Sequence, residues 1–350
     1  MPTPAIPRLR ATFLPSLLPG LVLSLTTTAA TADTYTVAPS SPGTIQALID
    51  LVLVDGDVIQ LEAGTYLLPD TISIIDRSIT IRGVSEPKTG EPLSILDGQD
   101  THRVCLTNGG SNTFETLVFT RGFSNGSSGG GLLGDNNTFD HCTFESNQAS
   151  SGGGVNGGYN TFDHCTFESN QANYGGGVQG YGNTFDDSTF TGNTAEFRGG
   201  GLDVFSDNTL TNCLITGNTA PLGAGMYFSG SPIYSTDLTT CTISGNTAQK
   251  EGGGLWIGQL TTVRITGSSI CENAPEDIVG DWQDLGDNDG CGATPCPADI
   301  DGDGTVNATE IGLLLALWGT SNPLADLDGD GIVRAGDLGI VLSAWGPCPE

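Results

Sequence analysis

The chain predicts an all-β solenoid followed by a small helical module, and three observations carry that expectation. Thirteen residues, NTFDHCTFESNQA, occur at 137–149 and again, unchanged, at 160–172. A unit-closing Asn returns at Asn147, Asn170, Asn193, Asn218, Asn246 and Asn273, with spacings of 23, 23, 25, 28 and 27 residues. After most of these Asn comes a glycine cluster and one apolar residue: GGGV at 152 and 175, GGGL at 199 and 252, GAGM at 223. Repeats of this length, built from short strands, bends and Gly turns, fit coils that stack in parallel about 4.8 Å apart. Helical repeats need longer apolar stripes at 3.6-residue spacing, and none is present.

The first 32 residues read as an export signal. Arg8 and Arg10 precede an apolar run from Phe13 to Leu25, and Ala30-Thr31-Ala32 supplies a small-residue cleavage site. No later apolar run approaches the roughly 18 to 20 residues of a membrane span. The expected location is therefore extracellular, either free or at a cell surface. A formal charge of −29, from 40 Asp plus Glu against 11 Lys plus Arg, excludes nucleic acid and anionic membranes as natural partners and suits divalent cations. Nine Cys in an exported chain permit disulfides.

Residues 33–285 form the predicted solenoid. Within a unit, Cys142 and Phe144 share one face of a strand, and Phe139 joins them only if the chain bends at Asp140 and His141. Equivalent positions then stack: Phe139 with Phe162 and Phe185; Leu117 with Cys142, Cys165, Ser188, Cys213 and Cys241; Phe144 with Phe167, Phe190, Ile215 and Ile243. The Asn row fits side-chain amides bonded along the stack at a turn where left-handed backbone is tolerated. An earlier, worn copy, NTFETLVFTRG, lacks the Asn, and the two exact copies read as one duplicated coil.

These units resemble the repeats of chlamydial polymorphic outer-membrane proteins and, more broadly, right-handed parallel β-helix proteins of the pectin-lyase-like superfamily. The resemblance spans roughly residues 35 to 285 and implies a right-handed, single-stranded parallel β-helix. The segment GTIQALIDLVLVDGDVIQLEAGTY, then ITIRG and ILDG, is similar to the capped start of such proteins, in which a short helix plugs the open end.

Catalytic members of that superfamily place carboxylates with Arg or Lys on an outer face. Here Asp140, Asp163 and Asp186 fall in one row, and His141, His164 and Asp187 in the next. That stripe is able to bind a metal or a sugar acid, yet a duplicated, solvated polar corner explains it more simply. The polygalacturonase marks Gly-His-Gly and Arg-x-Lys are missing. Arg198 and Arg264 read as isolated basic residues, either able to serve a lyase. The glycine triplets are turns, because no Gly-Lys-Ser/Thr follows them. Stacked ladder Cys would sit about 4.8 Å apart, beyond disulfide reach, so they are expected as buried thiols. Cys271, Cys291, Cys296 and Cys348 are the expected bridge formers. No residue is assigned a catalytic role, and the substrate-binding residues are left unassigned.

Residues 286–297 read as a linker, and 298–350 as the module. DIDGDGTVNATE places oxygen ligands at the loop positions that wrap Ca²⁺: Asp299, Asp301, Asp303, the Thr305 carbonyl, Asn307 and Glu310, with Gly304 at the sharp turn. DLDGDGIVRAGD repeats the pattern with Asp326, Asp328, Asp330, the Ile332 carbonyl and Asp337, weakened by Arg334 at position nine. Each loop leads into an apolar segment ending in Trp-Gly whose spacing suits a helix. The pair resembles a type I dockerin over residues 297 to 346. That resemblance implies a cohesin-like partner, although Ala308-Thr309 and Ala335-Gly336 stand where dockerins commonly carry Ser-Thr. Cys296 and Cys348 flank the module and are expected to clasp it.

The leading functional expectation is a secreted, calcium-binding β-helix protein, noncatalytic, whose lateral face holds polysaccharide or a cell-surface component. The alternative is a polysaccharide lyase or glycoside hydrolase delivered by its docking tail. A purely structural or adhesive role fits the near-identical coils as a third.

Overall fold

The computed structural model describes residues 32–230, 235–259, 261–288, 298, 300, 305–320, 322, 325, 327 and 331–347. The predicted export signal up to residue 31 lies outside these residues, as do Asp299, Asp301, Asp303, Gly304, Asp326, Asp328, Asp330, Cys291, Cys296 and Cys348.

Each coil contributes one short strand to each of up to four sheets, and every strand pairing in the solenoid is parallel to the coils before and after. In the duplicated coil these strands are Thr138–Asp140, Thr143–Glu145, Gln148–Ser151 and Val155–Asn156. They belong in turn to an 11-stranded sheet I, a nine-stranded sheet II, a six-stranded sheet III and a nine-stranded sheet IV. The last described strands, Ile278–Val279 and Gln283–Asp284, close the stack on sheets IV and I. At the other end, helix α1 (Gly43–Leu51) inserts Ile45 and Ile49 into the core, where they are buried with Val37, Leu53 and Ile59.

The predicted ladders form with the expected register. Phe139 lies opposite Phe162, and Phe162 opposite Phe185. Phe144 lies opposite Phe167, which lies opposite Phe190. Consecutive rings in these rows stack at centroid separations of 4.6–5.1 Å. Rings of the two rows meet edge to face, as for Phe139 and Phe144 at 5.4 Å. Full burial of each ring stabilises the fold by roughly 1.5–3 kcal/mol. The ladder Cys are free, buried thiols, and Cys271 is disulfide-bonded. Burial pushes the Cys105 thiol up to about 12.

The Asn row is a hydrogen-bonded ladder. The Asn147 backbone N–H and side-chain amide both donate to Asn170 Oδ1, at 3.0 Å each, and Asn170 repeats this toward Asn193. The left-handed residue is not the Asn, as the sequence suggested, but the one before it: Ser146, Ser169, Gly192, Gly217 and Gly245 all have φ between 54° and 65°. That twist turns the following Asn side chain inward, where its amide donates to a carbonyl of the preceding coil, as Asn170 does to Phe144 at 2.8 Å. A second Asn ladder, through Asn137, Asn160, Asn183 and Asn208, does the same between sheets IV and I. It was equally present in the NTF motif and was not anticipated. The bend expected at Asp140 and His141 falls on His141, at φ 51°.

Beyond the solenoid, helices α2 (Ala308–Ala316) and α3 (Ala335–Ser343) bury Leu314 and Val341 in a second core with Val306 and Val333. Thr305–Val306 pairs antiparallel with Gly346–Pro347.

Candidate functional site

On sheet IV the residue after each unit's apolar position faces outward, because its neighbours, such as Leu202 and Val204, are in the core. Successive coils place there Leu106, Leu133, Asn156, Gln179, Asp203, Tyr227 and Trp256. The surrounding repeat hardly varies, yet this position differs in nearly every coil. That variation was the signal available in the sequence, and it was missed.

The acid of the row is Asp203, outward-facing yet fully buried. Its Oδ2 accepts from Gln179 Nε2 at 2.8 Å and from Arg198 Nε at 3.3 Å. Its Oδ1 is buried and has no hydrogen-bond partner among the described residues. Gln179 Oε1 in turn accepts from Asn156 Nδ2 at 3.0 Å, so a chain of amides leads along the face to the acid. Desolvation raises the Asp203 carboxyl above its ordinary value, and the bonds from Gln179 and Arg198 offset this only in part.

Arg198 comes from the last position of its sheet III strand, Thr194–Arg198. Its guanidinium lies between the rings of Tyr174, 5.1 Å from the centroid, and Tyr227, at 4.6 Å. Between Arg198 and Asp203 the chain turns through Gly199, at φ +66°; a Cβ there would meet Asp203 Cβ at 2.8 Å. The side-chain-free corner is what lets the two rows close over each other. Tyr227 stacks on Trp256 at 4.5 Å and 3°, and Trp256 Nε1 donates to Glu251 at 3.2 Å. Arg198 is therefore not isolated, contrary to expectation. Nor is Arg264, whose Nε and Nη2 bind the Asp237 carboxylate at 2.5 and 2.7 Å.

A cleft of about 500 Å³ runs along the same face, floored by Leu133, Asn156 and Gln179 and walled by Tyr181 and Phe205. The face thus joins a cleft, a fixed cation and aromatic planes in one line. Asp203 itself is covered, so it acts on any ligand through Arg198.

The predicted Asp-His stripe lies elsewhere, at the bend between sheets I and II. His141 and His164 stack at 4.7 Å with 1° between their planes. Each Nδ1 is bonded to the preceding carboxylate, Asp140 at 2.6 Å and Asp163 at 2.7 Å. The bond that His164 donates to Asp163 is the main reason its pKa is raised.

Of the predicted calcium ligands, Thr305, Asn307, Glu310, Ile332 and Asp337 fall within the described residues. Glu310 Oε2 accepts from the Asn307 backbone N–H at 2.6 Å, while Oε1 is buried with no hydrogen-bond partner among the described residues. A buried carboxylate oxygen without a donor fits a cation ligand. Asp337 is also fully buried, and its two oxygens accept from the backbone N–H groups of Leu327 and Arg334.

The family of right-handed β-helix regions matches residues 94–237, and the chlamydial polymorphic membrane protein repeat matches 240–258. No curated protein matches the chain. Among solved structures, a mannuronic-acid-specific family 6 polysaccharide lyase from human gut microbiota is similar at 13% identity and TM-score 0.43, over 73% of this chain and 78% of that one. Pectate lyase Pel9A is similar at 16% identity and TM-score 0.42, over 75% and 80%. A capsular polysaccharide depolymerase, the tailspike protein gp49 of Acinetobacter baumannii bacteriophage Fri1, is similar at 14% and 0.44, over 74% of this chain and 58% of that one. The solenoid is a right-handed parallel β-helix. Among the described residues no helix is long and apolar enough to cross a membrane.

Proposed function

We propose that this chain is an extracellular β-helix protein that binds polysaccharide along the outer face of sheet IV, and that its tail is a calcium-loaded docking module. The observation that carries the first part is Arg198, fixed between Tyr174 and Tyr227 and backed by buried Asp203, in line with the stacked Tyr227 and Trp256. Tyr227 is buried between Arg198 and Trp256, so the plane left for a sugar is that of Trp256, and a guanidinium held in place binds carboxylate or hydroxyl oxygens without having to be ordered by the ligand. The noncatalytic reading is favoured because Asp203 is shielded from contact with a ligand. A second reading, a polysaccharide lyase or glycoside hydrolase, draws support from a carboxyl of raised pKa beside a cation.

One experiment separates them. Purified chain is titrated with neutral and uronic-acid polysaccharides by calorimetry while new reducing ends and unsaturated products are followed. Binding without product, weakened at least about tenfold in Trp256→Ala, supports the binder; Trp256 is chosen because Trp is enriched among the few residues that each contribute about 2 kcal/mol or more to a binding face. Product formation moves the assignment to the enzyme. Unchanged binding in Trp256→Ala removes this face from consideration.

For the tail, the orphaned Glu310 oxygen supports Ca²⁺ held by Asp299, Asp301, Asp303, the Thr305 carbonyl, Asn307 and Glu310. A second ion would use Asp326, Asp328, Asp330, the Ile332 carbonyl and Asp337. The ions would hold the two loops folded, and a cohesin-like domain is the partner such a module would dock onto.

A further inference from the structure

The stripe of Asp and His at the sheet I to sheet II bend is not used by the polysaccharide face, and its geometry has its own chemistry. His164 Nδ1 is bonded to Asp163 Oδ1 at 2.7 Å. Since a carboxylate only accepts, Nδ1 carries the proton and Nε2 of the neutral ring is left with its lone pair free. Asp187 Oδ2 lies 3.8 Å from that Nε2. Two metal legs of about 2.0–2.1 Å, one to an imidazole nitrogen and one to a carboxylate oxygen, span up to roughly 4.1 Å. A single ion therefore reaches both atoms where they stand. One ligand atom from each of Asp163, His164 and Asp187 falls within 4.8 Å of the others.

Two further features favour an ion over a merely solvated corner. His141, stacked parallel on His164, cannot aim its own lone pair at the same point, because in-plane lone pairs on parallel rings 4.7 Å apart run side by side. It fixes the plane of the His164 ring instead. In front of the stripe is a cavity of about 330 Å³, whose far wall is the loop Thr89–Pro92 with Glu91 its one acid. This loop lies some fifty residues upstream of the stripe it faces, a proximity that no repeat or motif signals.

We propose that His164 Nε2 and the Asp187 carboxylate bind a borderline divalent cation of the Zn²⁺ type in this cavity, with Asp163 orienting the imidazole and Glu91 facing the ion from the opposite wall. Imidazole with carboxylate is the donor set for Zn²⁺ and its neighbours, whereas the all-oxygen tail loops suit Ca²⁺. The carboxylate behind the imidazole makes the ring a better donor, an arrangement usual at protein zinc sites.

The test is Zn²⁺ titration of the full chain, against a competing indicator dye and with Ca²⁺ in excess to fill the acidic loops. Co²⁺ absorption serves as a second readout of imidazole ligation. The expected wild-type result is one Zn²⁺ per chain outside the calcium loops. His164→Asn and Asp187→Asn are the informative variants, because both sites have positive φ, at 49° and 46°, which Asn tolerates. Each is expected to weaken binding more than about tenfold, and Asp163→Asn by about 10- to 100-fold, as for other residues behind a metal ligand. Deleting residues 148–170, one whole coil, removes His164 but sets His141 beside Asp187 in the same register, and is expected to retain the ion. Failure of the wild type to bind Zn²⁺, or equal binding by His164→Asn, overturns the proposal. Loss of the ion in the coil deletion, with a cooperative melt retained, also overturns it.

Discussion

The hydrogen bonds of single side chains decide which positions tolerate change. The Asn170 side chain makes four hydrogen bonds to three residues, accepting from the Asn147 backbone and amide and donating to Phe144 and Asn193. Asn170→Ala leaves the Asn147 N–H buried without its acceptor, at about 1–3 kcal/mol, and removes the amide's other bonds as well, so the expected loss is about 3 kcal/mol in chemical denaturation. Asp203 acts in the opposite sense. Its folded pKa is raised above the ordinary 3.8, so the folded state holds the proton over a pH range where the unfolded chain has released it. Its contribution to stability is full below the unfolded value and is lost as pH rises through the folded value. Measured as the difference from Asp203→Asn, the wild-type melting temperature is expected to fall as pH rises above the ordinary value of 3.8. A difference that grows with pH would show that Arg198 dominates over desolvation. At this scale the sequence was legible for the core and poor for the site. Phe139, Cys142 and Phe144 announce themselves by recurring, whereas Asp203, Tyr227 and Trp256 are informative because they do not recur. Arg198 looked isolated because its partners, Tyr174 and Tyr227, sit one coil before and one coil after it.

Strands and helices differ here in what holds them. A strand of three residues has no stability alone; each is held by register with two neighbours and by the Asn corner that follows it. The rule that outward residues alternate with inward ones places the sheet IV row without ambiguity, and the glycine corner at Gly199 brings the sheet III row against it. Helices α2 and α3, nine residues each, are too short to persist on propensity and share a core of small size. If Ca²⁺ organises the loops that precede them, chelation should unfold these helices and leave the solenoid intact. Two calorimetric transitions are expected, of which only the smaller moves with Ca²⁺. Glu310→Gln should weaken binding at the first loop at least about tenfold, since position twelve ordinarily supplies a bidentate carboxylate. A single transition insensitive to chelator would contradict the calcium assignment. The helix positions were legible from Trp-Gly ends and apolar spacing; the Asn307 to Glu310 pairing was not, because it depends on backbone closure at the helix start.

At the scale of the molecule, each coil touches only the coils before and after it, so stability is expected to sum over units and their interfaces. Deleting residues 148–170 joins Asn147 to Gln171 and leaves every remaining register intact, because the two units agree from the first Asn to the Ala that follows the second. The shortened chain is expected to melt cooperatively, which circular dichroism checks. A collapse to a molten state would show that the coils are less equivalent than their sequences.

The exact duplication has a kinetic consequence as well. During folding, the strand Thr138–Asp140 offers Thr184–Asp186 the same partners as Thr161–Asp163 does, so a chain that skips a coil and loops it out keeps its neighbours in register and forfeits the burial of the looped coil, roughly 1.5–3 kcal/mol for each of Phe162 and Phe167. The slip is also detected by the α1 plug, which fits one terminus, and by the unequal side chains on sheet IV, which fit their neighbours in one order. The residues that make the face chemically distinct thus also act as a reading frame, telling one otherwise interchangeable coil from the next.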